Sequence, residues 1–156
     1  MSSTKRHPQS IVGIDASLTN TAMFFGPGKH AEIKGGKLRG ATRLHSMFER
    51  IREQLREHKP TCAVIEGYAY MAQSRSHRLG EIGGVVRLAC ALEGVERIYE
   101  VPPTSLKKFF TGNGKASKKE MQEEAVDRQL FKAYPSDDLA DACALWYAGD
   151  DNKFLN

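Results

Sequence analysis

Four carboxylates carry the strongest chemical signal in this chain. Asp15 directly follows the apolar run Ile11-Val12-Gly13-Ile14, and Glu66 ends a second such run, Cys62-Ala63-Val64-Ile65. Asp138 and Asp141 lie one helical turn apart, flanking a stripe of Leu139, Ala142, Cys143 and Trp146. An acid at the end of a buried strand is unfavourable unless it is paired or binds a cation. No Arg or Lys adjoins Asp15 or Glu66 in the sequence. Strand-end acids joined to an acidic pair on a helix therefore suggest a divalent-metal site. A ligand set made only of oxygen selects Mg²⁺ or Mn²⁺ over zinc. Two such ions can clamp a scissile phosphate, one activating water and the other stabilising the leaving oxygen.

Each acid also has an ordinary explanation. Asp15 before Ser17-Leu18-Thr19-Asn20 suits a turn, and Glu66 suits an exposed strand end. Asp137 and Asp138 complement a helix dipole in its first turn. Asp141 lies deeper in the helix, beside Ala142 and Cys143, and is harder to explain that way. A basic stretch accompanies the acids: Lys107, Lys108, Lys115, Lys118 and Lys119. Lysines hold phosphate while carboxylates hold cations, although two solvated faces would give the same composition. The histidines (His7, His30, His45, His58, His77) have no ligand spacing and read as surface residues. Gly112-Asn113-Gly114-Lys115 is not a phosphate-binding Walker loop, because Ala116 stands where Ser or Thr is required.

The elements that must position these residues follow from the apolar pattern. Residues 11–14 form a buried strand, and 21–25 and 31–38 two more, joined by the turn Gly26-Pro27-Gly28. Leu44, Met47, Phe48, Ile51 and Leu55 repeat at helical spacing before Pro60. Residues 62–65 make a central strand, residues from about 77 to 92 a second helix, and 97–101 a strand stopped by Pro102-Pro103. Ser117 and Glu120 form a capping box, and Ser136 is the N-cap of the last helix. A hairpin meander followed by helix-linked strands gives an α/β mixed sheet, its antiparallel meander succeeded by parallel strands and flanked by helices. Gly83 and Gly84 inside a helical pattern imply close packing, against either a second subunit or the sheet.

The 156 residues make one domain over 11–150, with a tail at 1–10 and a short one at 151–156. At 40% hydrophobic and 27% charged residues the chain reads as globular. No apolar run approaches the roughly 18 residues of a membrane span, and the polar N-terminus lacks a secretory signal, so the expected location is cytoplasmic. The net charge of +4 and pI near 9.0 lean toward polyanionic partners. Cys62, Cys90 and Cys143 fit neither a disulfide framework nor a zinc site and read as packing residues.

The run from Ile11 through Asp15 to Thr21 closely resembles the opening strand of RuvC-type Holliday-junction resolvases. Val64-Ile65-Glu66 is similar to their second catalytic strand, and Asp138-Leu139-Ala140-Asp141-Ala142 to their final helix. The likeness spans nearly the whole chain after Ser10. It implies a ribonuclease H-like fold and a homodimer cutting four-way DNA junctions by paired nicks. It also implies that Asp15, Glu66, Asp138 and Asp141 are the catalytic metal ligands, with two Mg²⁺ (or Mn²⁺) ions per active site. Lys107 and Lys118 fall where the family carries basic residues facing the scissile region, and Tyr70 where it carries a stacking aromatic, with Tyr68 as the alternative. Lys118 in the first turn of a helix is then catalytic, and Lys108, Lys115, Lys119, Arg75 and Arg78 complete the DNA-binding set. Ala16 replaces a frequent Pro and Ala22 a frequent Gly; these departures suggest a divergent, phage-type branch (and then the host cytoplasm) with broader substrate choice.

Rival readings differ in class. An actin- or hexokinase-like phosphotransferase also follows a strand with acid, Ser/Thr and Asn, but needs about twice this length. A non-catalytic branched-DNA binder would have no use for four carboxylates. A nuclease acting on RNA–DNA hybrids or other branched DNA remains open, since fold does not fix substrate.

Overall fold

In the computed structural model the residues described are 10–67 and 73–151, without the side chains of 73–76, 78 and 79. The two terminal tails, apart from Ser10 and Asp151, fall outside this set. Five strands are interleaved with five helices: β1 (Ile11–Asp15), β2 (Asn20–Gly26), β3 (Lys29–Lys34), α1 (Gly40–His58), β4 (Cys62–Glu66), α2 (Gln73–Leu92), β5 (Arg97–Val101), α3 (Pro103–Thr111), α4 (Lys118–Asp127) and α5 (Asp137–Asp150). The sheet order is β3-β2-β1-β4-β5. The first two pairings are antiparallel and the last two parallel. The mixed sheet anticipated from the sequence is thus the one observed.

Strand alternation sorts the side chains into two layers. Val12, Ile14, Met23, Ile33, Ala63 and Ile65 pack with Met47, Ile51 and Leu55 of α1 and Ile82 and Val86 of α2. Ile11, Ala22, Phe24, Cys62, Val64 and Val101 face the other way, onto α3, α4 and α5. Parity therefore puts Asp15 and Glu66, at the ends of β1 and β4, on the α5 side. Their strands are in register, with Gly13 opposite Val64 and Ile14 opposite Ile65, so the two acids leave the sheet side by side.

α5 comes unusually close to this face. A Cβ on Gly13 would lie 2.0 Å from the Ala142 carbonyl oxygen and 2.5 Å from the Trp146 nitrogen. At the far end of α5, a Cβ on Gly149 would meet Val64 Cγ2 at 2.8 Å and Ile11 Cγ2 at 3.0 Å. One glycine in the strand and one in the helix let backbone and sheet touch where any side chain would hold them apart. Ser136 caps α5, its Oγ accepting from the Leu139 N–H at 3.1 Å, and a capping box of Ser117 and Glu120 opens α4.

Two boundaries differ from those read in the sequence, and one helix is absent from that reading. β3 stops at Lys34, not at residue 38, because the chain turns at Gly35 and Gly36. A Cβ on Gly35 would lie 2.5 Å from the Leu18 carbonyl, so the turn is packed under the β1–β2 loop. α2 begins at Gln73, a turn earlier than the apolar spacing marked. α3 was not assigned at all, although Pro103 at its first position, buried Leu106 and Phe110 four apart, and Gly112 at φ 86° as its left-handed cap were readable signals. Of the two α2 glycines, Gly83 is buried and Gly84 faces open space, so close approach to the sheet does not explain Gly84. Cys62, Cys90 and Cys143 are free and buried, as packing residues should be.

The Gly13 contact yields a direct prediction. Gly13→Ala forces α5 away from β1, and overpacking of this kind costs roughly 3 kcal/mol or more. The urea midpoint and Tm should fall together, Tm by about 6–12 °C. A variant as stable as the parent would show that α5 does not need this contact.

Candidate functional site

Asp15, Glu66, Asp138 and Asp141 approach one another from three elements. β1 and β4 deliver the first two side by side, and the first two turns of α5 lower the others onto them. Burial and the neighbouring acids alter the proton affinities of Asp15 and Asp141, and burial that of Glu66. Asp15 is held well above the usual carboxylate range, first by loss of water around it and then by the charges of Asp141, Glu66 and Asp138. Asp141 is pushed up to about 7 by burial, with Glu66 and Asp138 adding to it. Burial also raises Glu66, while Lys107 pulls it back. Desolvation is the leading cause at all three.

Neighbouring cations only partly offset this charge. Lys107, on α3, lowers the proton affinity of both Glu66 and Asp141. Lys118, at the start of α4, forms an ion pair with Asp137 at 2.9 Å and feels Asp138 and Asp141 behind it. Asp137 is held low by this lysine. Of the sequence-selected lysines, these two are the ones whose charge the acids feel. Lys119 instead lies 3.8 Å from Glu123 on its own helix, and Lys108 and Lys115 are exposed on α3 and the turn after it. Tyr68 and Tyr70, and the side chains of Arg75 and Arg78, lie outside the described residues.

The donor set fits a hard divalent cation: oxygen ligands only, a surplus of negative charge, and no equal opposing charge. Among the described residues, no three Asp, Glu, His or Cys side chains stand in a shell that could hold an ion. β1, β4 and α5 bring the four acids to one edge of the sheet, where Asp15 and Asp141 feel the charges of the others. Among the described residues the histidines take no part. His30 stacks on Phe24 with ring centroids 6.4 Å apart, and His58 on Phe25 at 4.0 Å; the latter is half-buried rather than a surface residue.

Sequence reasoning missed two residues of this site. Asn20, at the start of β2, donates from Nδ2 to Asp138 Oδ2 at 2.8 Å and to Glu32 Oε1 at 2.9 Å. Glu32, on β3, also accepts from Ser136 Oγ at 2.7 Å. The available signal was parity. Glu32 pairs with Ala22, and Asn20 lies two residues before Ala22, so both face α5 where an apolar residue would be expected.

Comparison with known proteins agrees with the geometry. The family model for crossover junction endodeoxyribonuclease RuvC matches residues 30–148, so β1 and Asp15 precede the matched stretch. RuvC of Hydrogenovibrio crunogenus is 32% identical over 113 residues, covering 72% of this chain and 65% of that protein. The match thus spans just under two thirds of that relative. RuvC of Treponema denticola is 32% identical over 154 residues, covering 92% of this chain and 86% of its own length. The Thermus thermophilus RuvC structure superposes with a TM-score of 0.75 at 23% identity, covering 93% of this chain and 95% of that one. T. thermophilus RuvC in complex with a Holliday junction substrate gives 0.74 at 22%, covering 94% of each. At these identities the two structures establish the fold, which is the ribonuclease H-like architecture anticipated above. With the family model covering most of its length, the chain belongs to the RuvC family of crossover junction endodeoxyribonucleases.

Proposed function

We propose that the protein is a metal-dependent endodeoxyribonuclease that resolves four-way DNA junctions by paired nicks, acting as a homodimer. The observation that carries this is the gathering of four carboxylates from three elements at one edge of the α5 face, with too little positive charge to neutralise them. Asp15, Glu66, Asp138 and Asp141 would hold Mg²⁺ or Mn²⁺, two ions per site, with Asp15 delivered by the strand that α5 touches at Gly13. Bound ions of this kind activate a water and stabilise the leaving oxygen. The chain's own work is to place the ligands, keep the site largely dry, and hold the phosphate. Lys107 and Lys118 flank the acids and would hold the scissile phosphate. Lys118 does so from the first turn of α4, where backbone N–H groups already favour anions.

Binding away from the cut falls to Lys108, Lys115, Lys119, Arg75 and Arg78, with Tyr70 stacking on a distorted base near the crossover. For the homodimer, α2 offers an exposed face on which Gly80 and Gly84 meet nothing and Leu88 and Leu92 are 55% and 56% exposed. Two subunits related by a two-fold axis suit a two-fold junction. No helix of the described chain is long and apolar enough to cross a membrane.

The test is Asp15→Asn, assayed for junction binding in Ca²⁺ and for cutting in Mg²⁺ on one sample. Cutting should fall by about three orders of magnitude or more, because no other group here can replace the metal ligand. Binding should persist, because phosphate contacts come mainly from lysine and arginine. Near-normal cutting would remove Asp15 from the site.

Stability should respond to pH and metal. The folded chain holds protons on Asp15, Glu66 and Asp141 more tightly than the unfolded chain does. The contribution of these three groups to stability is therefore fully present below the unfolded carboxylate range and is lost as pH rises through the folded values, about 7 for Asp141. Without metal, Tm should drop by several degrees between pH 5 and 8, and Mg²⁺ or Mn²⁺ should restore it at pH 8. A metal-free Tm that rises over that interval would contradict the arrangement.

The two adjacent lysines should separate. Lys118→Ala should lower the cutting rate of bound junction about tenfold or more, since a charge aimed at the transition state is lost. Lys119→Ala should cost only a salt-dependent part of binding. Equal, salt-reversible losses for both would make Lys118 an ordinary binding lysine.

A further inference from the structure

One hydrogen-bonded chain links the acidic site to the edge of the sheet. The Leu139 N–H donates to Ser136 Oγ at 3.1 Å, which commits that hydroxyl's hydrogen to Glu32 Oε1 at 2.7 Å. The same oxygen of Glu32 accepts from Asn20 Nδ2 at 2.9 Å, and the second hydrogen of Nδ2 reaches Asp138 Oδ2 at 2.8 Å. Every donor and acceptor in this chain has one possible polarity. Both neighbours of the Asn20 amide are carboxylates, so only its nitrogen can face them.

The other end of Asn20 sharpens the point. Its Oδ1 is buried and, among the described residues, has no hydrogen-bond partner. Among the described residues the amide is held through its nitrogen, by the carboxylates of Asp138 and Glu32. Of these two, Glu32 stands outside the four acids. It sits on β3, opposite Ala22 in the β2–β3 ladder, on a backbone fixed independently of α5.

The geometry points to Glu32 as a positioning residue of the metal site. Through Asn20 it fixes the rotamer of Asp138, and through Ser136 it fixes the start of the helix that carries both Asp138 and Asp141. Glu32 does not touch the reacting atoms. It holds one oxygen of Asp138 on a neutral donor and so limits the orientations open to that side chain. This rests on the reading of the four carboxylates as a divalent-cation site. Loss of an outer partner of this kind weakens metal affinity by about 10–100-fold in general.

The experiment is a Mn²⁺ titration of the full chain without DNA, followed by electron paramagnetic resonance, for the parent, Glu32→Ala, Glu32→Gln and Asn20→Ala. Circular dichroism checks that each variant is folded. Glu32→Ala and Asn20→Ala should bind Mn²⁺ about tenfold more weakly or worse. Glu32→Gln keeps an acceptor at the same place and should stay within about threefold of the parent. Junction cutting by Glu32→Ala should recover most of its rate at saturating metal, which a general packing defect would not allow. If Glu32→Ala does not fold, Asn20→Ala against Glu32→Gln decides the matter. Parental Mn²⁺ affinity in folded Asn20→Ala, or a loss in Glu32→Gln equal to that of Glu32→Ala, overturns the positioning role. A parent chain that binds no Mn²⁺ overturns the metal site itself and this role with it.

Discussion

The bare backbone contact between α5 and β1 is the constraint on which the site depends. Gly13 has no side chain, and the Ala142 carbonyl occupies the space that one would fill. A helix separated from the sheet by an ordinary layer of side chains would carry Asp138 and Asp141 away from Asp15. Gly149 repeats the device at the other end, so the helix lies flat along the sheet instead of pivoting on one point. The remaining packing serves this placement. Leu139, Ala142, Cys143 and Leu145 are buried in the α5 layer, and small residues dominate where the approach is closest.

That placement is unfavourable electrostatically. Three acids hold their protons more tightly than free carboxylates do, and desolvation leads the causes for each. Packing forces the charges together, and the nearby lysines only partly answer them. The fold therefore concentrates acidic side chains at one point of the sheet's edge. The polar chain from Glu32 to Asp138 gives one of them a fixed neutral donor, the Asn20 amide.

Much of this was legible in the sequence, because the signals were local. Strand-end acids after apolar runs, the Asp-x-x-Asp spacing on a capped helix, and the Ser117–Glu120 capping box each lie within a few residues. The sheet's mixed order followed from a hairpin and helix-linked strands. What escaped were features whose meaning comes from distant partners. Asn20 reads as a turn residue until β2 is registered against β3, and Glu32 as a surface acid until α5 covers it. Gly13 reads as a strand glycine until Ala142, far along the chain, is seen above it. The short α3 escaped because nine residues offer little periodicity, although its proline start and glycine cap were present. The glycines of α2 implied a close contact, but the described chain leaves Gly84 open.

The account's central claim is that these four carboxylates use divalent metal to cut branched DNA. The most direct measurement is cleavage of a labelled panel in Mg²⁺: a four-way junction, a fork, a linear duplex and an RNA–DNA hybrid of equal length. The account predicts symmetric paired nicks in the four-way junction, at a rate at least about tenfold above the linear duplex and the hybrid, and none in chelator. Binding of the junction without cutting in either Mg²⁺ or Mn²⁺, or fastest cutting of the hybrid, would contradict it.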